Sequence, residues 1–583
     1  MATRCSRALF AALLLVASFS VLPASHPAHV RAAGTTLYVD GKAGNDDNDG
    51  RSWAEAYRTI NRAAKEVPRG TAAAGWTVVV RGYTDYIYRE RPVPGGYSRT
   101  GVAGSPLVFT AEGWSPGATD YVKPIVSGAL VAPQPGQSWR ADSTPKVWWT
   151  RWSGAPVGFD RKKPYAGALY QDTTTWLWQH ASLADLRQKA KRGDGGYWYD
   201  AAAGRLYVAT RGNVTPGSVS IDVPTRMGFY FTGEVGAAYI SVRGFVVQHT
   251  SMGITFHLGT DHSSALDNVA IGNTPMGFST SGRRTSNGAD LGVGNEFRRN
   301  VALANTLQGF KIDAGSRNTV VCGNSVRRNA YQGIKIQGSD VDASDARVTS
   351  GTEICENELA QQSVRRPGRS DEQPNGLTIS NGARDTYVHD NTIRDNVIGV
   401  QLNHRGVGSP LSGTRFTRNL VHGNRSAGLS LRDGVSRAAW GSGSLLASYN
   451  LYWDNGVGIR IAPGSTNKTF EHETIYANAG NGLEVGCGCS GGTARVTLRT
   501  SLVTHNGRYG VVVGSGHRAT LWHVGYGTNA SGPLSGSASR TKTNTRRAGY
   551  VSRDAADADF LRIGPGSYQL TAGPDGTPIG ARY

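Results

Sequence analysis

The stretch NVALANTLQGFKIDAG, residues 300–315, decides the fold, because its phrasing returns four more times down the chain. It reads NSVRRNAYQGIKIQG from Asn324, NTIRDNVIGVQLNHRG from Asn391, NLVHGNRSAGLSLRDG from Asn419 and NLYWDNGVGIRIAPG from Asn450. Each copy is an Asn, four residues, a second Asn, then Gly-apolar-x-apolar running into a turn. Weaker copies start at Asn268, Asn357, Glu473 and Ser501. The aligned glycines, from Gly253 and Gly277 through Gly309, Gly333, Gly376, Gly399, Gly428, Gly458 and Gly482 to Gly510, are 23 to 43 residues apart, with the shortest spacing where no loop is inserted. Self-similarity at such a period is the mark of a solenoid.

Each unit holds short period-2 apolar runs separated by Gly and Asn and no helical stretch, so each repeat is expected to be one coil of a parallel β-helix. Coils stack at strand spacing, about 4.8 Å. An Asn at a fixed turn position tolerates left-handed geometry and hydrogen-bonds its counterpart in the next coil, which builds a polar ladder. Propeller blades are longer and need four antiparallel strands, so they fit poorly.

The first residues, MATRCSRALFAALLLVASFSVLPASHPAHVRAAG, place Arg4 and Arg7 before an apolar run and small residues near Ala32. This reads as a secretory signal over 1–32, hence a secreted, extracellular protein without stable membrane insertion. The formal net charge of +19 suits an anionic partner such as acidic polysaccharide, or a solvated basic surface. No nucleic-acid motif is present, and a monomer is expected. Four cysteines follow the signal. Cys322 and Cys355 each lie two residues before the first Asn of their repeat, in consecutive coils, so they stack within disulfide reach. Cys487 and Cys489 could close only a small strained ring.

Residues 33–135 read as an N-terminal cap with the first coils. The cap is an amphipathic helix with Ile60, Ala63, Ala64 and Val67 on one face, covering the open end of the solenoid. From 136 to 222 the texture changes: seven of the thirteen tryptophans fall there, and YWYDAAAGRLYVAT is a hairpin signal. An inserted small β domain is expected, whose aromatics either pack its core or stack on sugars. The main helix is expected over 223–530 and a closing segment over 531–583. The fold class is therefore all-β.

LYVDGKAGNDDNDGRSWAEAYRTINRAA near the start, then AAYISVRGFVVQHTSMGI, the Asn-bearing coils, and the FLRIGPGSYQL and IGARY ending together resemble secreted right-handed β-helix proteins of the pectate-lyase-like superfamily. The arrangement is similar both to polysaccharide lyase family 9 and to β-helical glycoside hydrolases of families 120 and 141. The resemblance covers nearly all of the chain after the signal. It implies carbohydrate chemistry and leaves eliminase and hydrolase open.

In Gly-apolar-x-apolar-x the two x positions point outward. The first column reads Thr255, Ser279, Lys311, Lys335, Thr378, Gln401, Ser430, Arg460, Glu484 and Val512; the second reads Asp313, Gln337, Ser380, Asn403 and Arg432. Loop insertions concentrate on the same coils and make walls for a cleft. Lys311 and Lys335, one coil apart, are expected to lower each other's pKa, which suits Lys311 to act as the base that removes a uronate C5 proton. GFKIDAG is similar to the Gly-Phe-Lys segment of family 9, although no acidic cluster precedes it to hold calcium. Asp340, Asp342 and Asp345 form an oxygen-rich loop that could bind Ca²⁺ or be plain surface. Arg365, Arg366 and Arg369 are candidate carboxylate clamps, and His404 and Arg405 close the turn after Asn403. Hydrolysis needs two carboxylates instead, with Asp313 partnered from a loop by Asp340, Asp342, Asp371 or Glu372. A noncatalytic glycan-binding protein would use the same groove without a base.

Overall fold

Three long parallel sheets run the length of the molecule, and they exist because every repeat supplies one short strand to each. The computed structural model describes residues 34–158, 167–284, 290–338, 348–362, 374–403, 411–432, 444–466, 468–486 and 492–582. Sheet 1 has fifteen strands, from Thr36–Val39 to Ser539–Thr541; sheet 2 has twelve, from Ile87–Tyr88 to Leu502–Thr504; sheet 3 has twelve, from Phe229–Thr232 to Gly532–Ser535. Within a coil the chain passes from sheet 1 to sheet 2 to sheet 3, as in Glu296–Arg298, Val301–Leu303 and Gln308–Asp313. One continuous apolar core fills the interior, from Leu37 through stacked Phe278 and Phe310 to Leu521.

Two ladders hold the corners. Between sheets 1 and 2 run Asn268, Asn300, Asn324, Asn357, Asn391, Asn419, Asn450, Glu473 and Ser501; between sheets 2 and 3 run Asn273, Asn305, Asn329, Gln362, Asn396, Asn424, Asn455, Asn478, Asn506 and Asn529. At Asn324, Oδ1 accepts from the backbone N–H and Nδ2 of Asn300 (2.8 and 3.1 Å), while its own Nδ2 donates to Phe297 O and Asn357 Oδ1. Burial makes these bonds obligatory, since an orphaned amide there costs about 1–3 kcal/mol. The expectation about left-handed geometry is corrected by one position. The residue with positive φ is the one before each rung, such as Arg299 (φ 53), Glu356 (φ 55) and Asp390 (φ 56), not the Asn. That residue turns the corner with its side chain outward, which leaves the Asn free to point in.

The aligned glycines are explained by crowding along sheet 3. A Cβ on Gly399 would lie 2.5 Å from Gly428 O and 2.9 Å from Asn424 Nδ2. At the N-terminal end the helix Ile60–Glu66 covers the core with Ile60, Ala63 and Ala64, capped by Thr59. A separate eight-stranded sheet is built from segments between Ala129 and Pro224, including the hairpin in which Asp200 faces Arg205. Trp176 and Trp178 of this unit are buried against Ala304 and Ala330 of the solenoid, and Trp152 lies in its own core, so packing accounts for these three rings. His249 fastens the junction: Nδ1 lies 2.6 Å from Asp222 Oδ2, Nε2 lies 2.9 Å from Thr173 O, and the ring stacks on Tyr170. Cys322 and Cys355 are register partners on sheet 1 and are bonded, with Cα atoms 4.5 Å apart.

Candidate active site on the outer face of sheet 3

Strand register stacks Thr255, Ser279, Lys311, Lys335, Thr378, Gln401 and Ser430 in one outward column of sheet 3. Beside it, Ser281 pairs with Asp313, and Gln337 with Ser380, then Asn403 and Arg432. Most of this outer face is polar yet buried: Gln337, Thr378, Ser380, Gln401 and Asn403 are all below a tenth exposed. An amide chain runs along it. Gln308 Nε2 donates to Gln332 Oε1, Gln332 Nε2 to Thr378 Oγ1, and Asn375 Nδ2 to Thr378 Oγ1 and Gln401 Oε1, at 2.8 to 3.1 Å. Among the described residues Asn375 Oδ1 and Gln401 Nε2 find no protein partner.

Lys311 and Asp313 sit two residues apart on one strand and therefore on one face. Lys311 Nζ donates to Asp313 Oδ2 at 2.5 Å, and Asp313 Oδ1 accepts from the Ala314 N–H. The expectation of two mutually repelling ammonium groups is changed by this ion pair. A lysine that is donating its proton to a carboxylate has no lone pair ready for base work. Thr349 Oγ1 ties the strand to its neighbour by bonding Asp313 O and Gln337 O.

The sequence pattern also contains a group that column counting overlooks, His257. It stands four residues after Gly253, as Asp313 stands after Gly309, so the second column extends upward through Ser281 to His257. Its Nδ1 lies 2.8 Å from Ser281 Oγ, and its ring lies 5.5 Å from that of Tyr230. Burial lowers the His257 pKa; Asp313 and Glu234 pull it back up and Lys311 pushes it further down. Hence His257, Lys311 and Asp313 form one electrostatic group.

Lower on the first column, Arg460 pairs with Glu484 at 2.9 Å. Arg365, Arg366, Arg369, Asp371, Glu372, His404, Arg405, Asp340, Asp342 and Asp345 lie outside the described residues, as do Cys487 and Cys489 and the side chain of Arg432. The one cluster of metal-ligating side chains among the described residues is Cys322, Glu353 and Cys355. Two disulfide sulfurs and one carboxylate do not fit Ca²⁺, which takes six to eight oxygens.

A family described as a right-handed β-helix region matches residues 434–522. With the stacked sheets and their two ladders, this makes the chain a right-handed parallel β-helix, the solenoid anticipated from the glycine and asparagine repeat. Among solved structures, a complex of XylC with xylose is 15% identical, with a TM-score of 0.45 over 80% of this chain and 70% of its own. A glycoside hydrolase is 13% identical, with a TM-score of 0.44 over 88% and 97%. Pectate lyase Pel9A is 15% identical, with a TM-score of 0.36 over 60% and 86%. None of these carries a reaction over to this chain. No curated protein matches it. Among the described residues no helix is long and apolar enough to cross a membrane.

Proposed function

We propose that this protein is a secreted carbohydrate-active enzyme that cleaves an acidic, uronate-containing polysaccharide by β-elimination on the outer face of sheet 3. The observation that carries the reading is the grouping of a cation, a carboxylate and a half-buried imidazole on one polar wall: Lys311, Asp313 and His257. β-Elimination needs a cation at the uronate carboxylate, to stabilise the charge that develops on proton loss, and a base at C5. Lys311 supplies the first. His257, kept neutral by burial, supplies the second from Nε2 when Nδ1–H donates to Ser281 Oγ. As His257 Nε2 takes the C5 proton, the electron pair of the C5–H bond forms C4=C5 and expels the C4 glycosidic oxygen, which leaves as a hydroxyl after taking a proton from water, and His257 returns its proton to solvent. The amide row from Gln308 to Gln401 is buried and braces the strands of the same wall.

A second reading, hydrolysis, would use Asp313 on this face as one of the two carboxylates that the reaction needs. Digestion of a panel of acidic and neutral polysaccharides separates the two. Products that absorb in the ultraviolet through a new C4=C5 bond support elimination. Reducing ends without that absorbance overturn it in favour of hydrolysis, and binding without cleavage overturns both.

A further inference from the structure

The geometry points to a second polysaccharide contact, a noncatalytic groove on the outer face of sheet 1 that holds the carboxylate groups of an anionic polysaccharide. It rests on the reading of an acidic polysaccharide substrate given above. The groove, about 820 Å³, crosses five consecutive strands from Thr414–Thr417 to Arg518–Trp522. Its floor is a column in direct register that begins with the exposed Leu446 and continues as three hydroxyls, Thr469, Thr497 and Thr520. Its rim is cationic: Arg415 at one end, and Arg495, Arg499 and Arg518 at the other. Arg495 and Arg518 are register partners, so their guanidinium groups rise from positions one coil apart, about 4.8 Å.

The charge is largely uncommitted. Arg499 meets Glu471 at 3.1 Å, but Arg415, Arg495 and Arg518 have no ion-pair partner among the described residues, and Arg415 lies over the Tyr387 ring. The stacked guanidinium groups of Arg495 and Arg518 repel one another unless an anion sits between them, and each presents a planar fork suited to carboxylate. The hydroxyl floor matches sugar hydroxyls. The groove lining contains no aromatic ring, the platform on which single-stranded nucleic acid stacks, and its concave shape suits a chain better than a membrane plane. A groove on a different sheet from the reacting groups would keep the enzyme on its polymer between cleavages and raise the local substrate concentration.

The test is affinity electrophoresis at low salt through gels containing polygalacturonate, dextran or double-stranded DNA. It compares chains with and without the exposed pair Arg495→Ser and Arg518→Ser, all in a His257→Gln background so that nothing is cleaved. The groove reading expects polygalacturonate retardation that falls roughly tenfold or more with the pair changed, the loss expected for charge-assisted hydrogen bonds. It expects none with dextran, and weakening by added salt. With His257 restored, turnover of a short acidic oligosaccharide should be unchanged by the Arg pair. Equal retardation of both chains overturns the proposal, as does a loss seen with DNA and not with polygalacturonate. Loss of polymer binding without any oligosaccharide cleavage by the wild type would keep the groove and remove the lyase reading.

Discussion

At the scale of single residues, His257 is the group whose behaviour separates an active centre from a merely polar wall. Its pKa is lowered by burial, raised by Asp313 and lowered by Lys311. Asp313→Asn should therefore move the His257 titration to lower pH and Lys311→Met to higher pH, read by NMR of the imidazole. Because a base must be neutral, the acidic limb of the rate profile should lie below the ordinary histidine range in the wild type and shift the same way in each variant's residual activity. His257→Gln should lower kcat by about 10² or more, the usual contribution of a general base. Lys311→Ala should affect both KM and kcat, because the cation touches the carboxylate before and during proton loss. The pairing of Lys311 with Asp313 is legible in the sequence, since i and i+2 of a strand share a face. Stacking draws attention to Lys335 one coil away instead, and a second column counted only downward from Asp313 passes over Ser281 and His257.

At the scale of elements, the ladders set stability, and Glu473 is their weak rung. It occupies an Asn position, wholly buried, and both carboxylate oxygens accept from Asn450. Burial raises its pKa well above the usual range. The folded state thus holds a proton that the unfolded chain has already released. Its contribution is fully present below the unfolded carboxyl pKa and is lost as pH rises through the folded value. Glu473→Gln should raise the thermal midpoint at alkaline pH and flatten its decline as pH rises above the ordinary carboxyl range, a tenfold difference in proton affinity between the two states being worth about 1.4 kcal/mol. Gly399→Ala should destabilise by forcing a methyl onto Gly428 O. Replacing Cys322 and Cys355 by Ala should lower the thermal midpoint, consistent with about 2–4 kcal/mol for a bridge of this kind, and the closed span is 33 residues. The ladder is readable because its rungs repeat in sequence. The left-handed corner is not, because that position tolerates Asp, Arg, Glu, Tyr, His and Gly alike.

At the scale of the whole molecule, the glycine and asparagine repeat carries the fold from sequence to coordinates almost unaided, since a parallel solenoid repeats its local chemistry in every coil. What does not carry over is anything built across the grain. The contact of Trp176 with Ala304 O joins residues 128 apart, the clasp of His249 on Asp222 and Thr173 joins two units, and the basic groove draws residues from each of five coils. Such groupings leave no local spacing to read. We propose that the outer face of sheet 3 eliminates rather than hydrolyses. The most direct measurement follows ultraviolet absorbance and reducing ends together while wild type, His257→Gln and Asp313→Asn act on polygalacturonate and other uronate polymers. Absorbance and reducing ends should rise in step for the wild type, and both should nearly vanish for His257→Gln. Reducing ends that accumulate without absorbance, with His257→Gln active and Asp313→Asn inert, would contradict it.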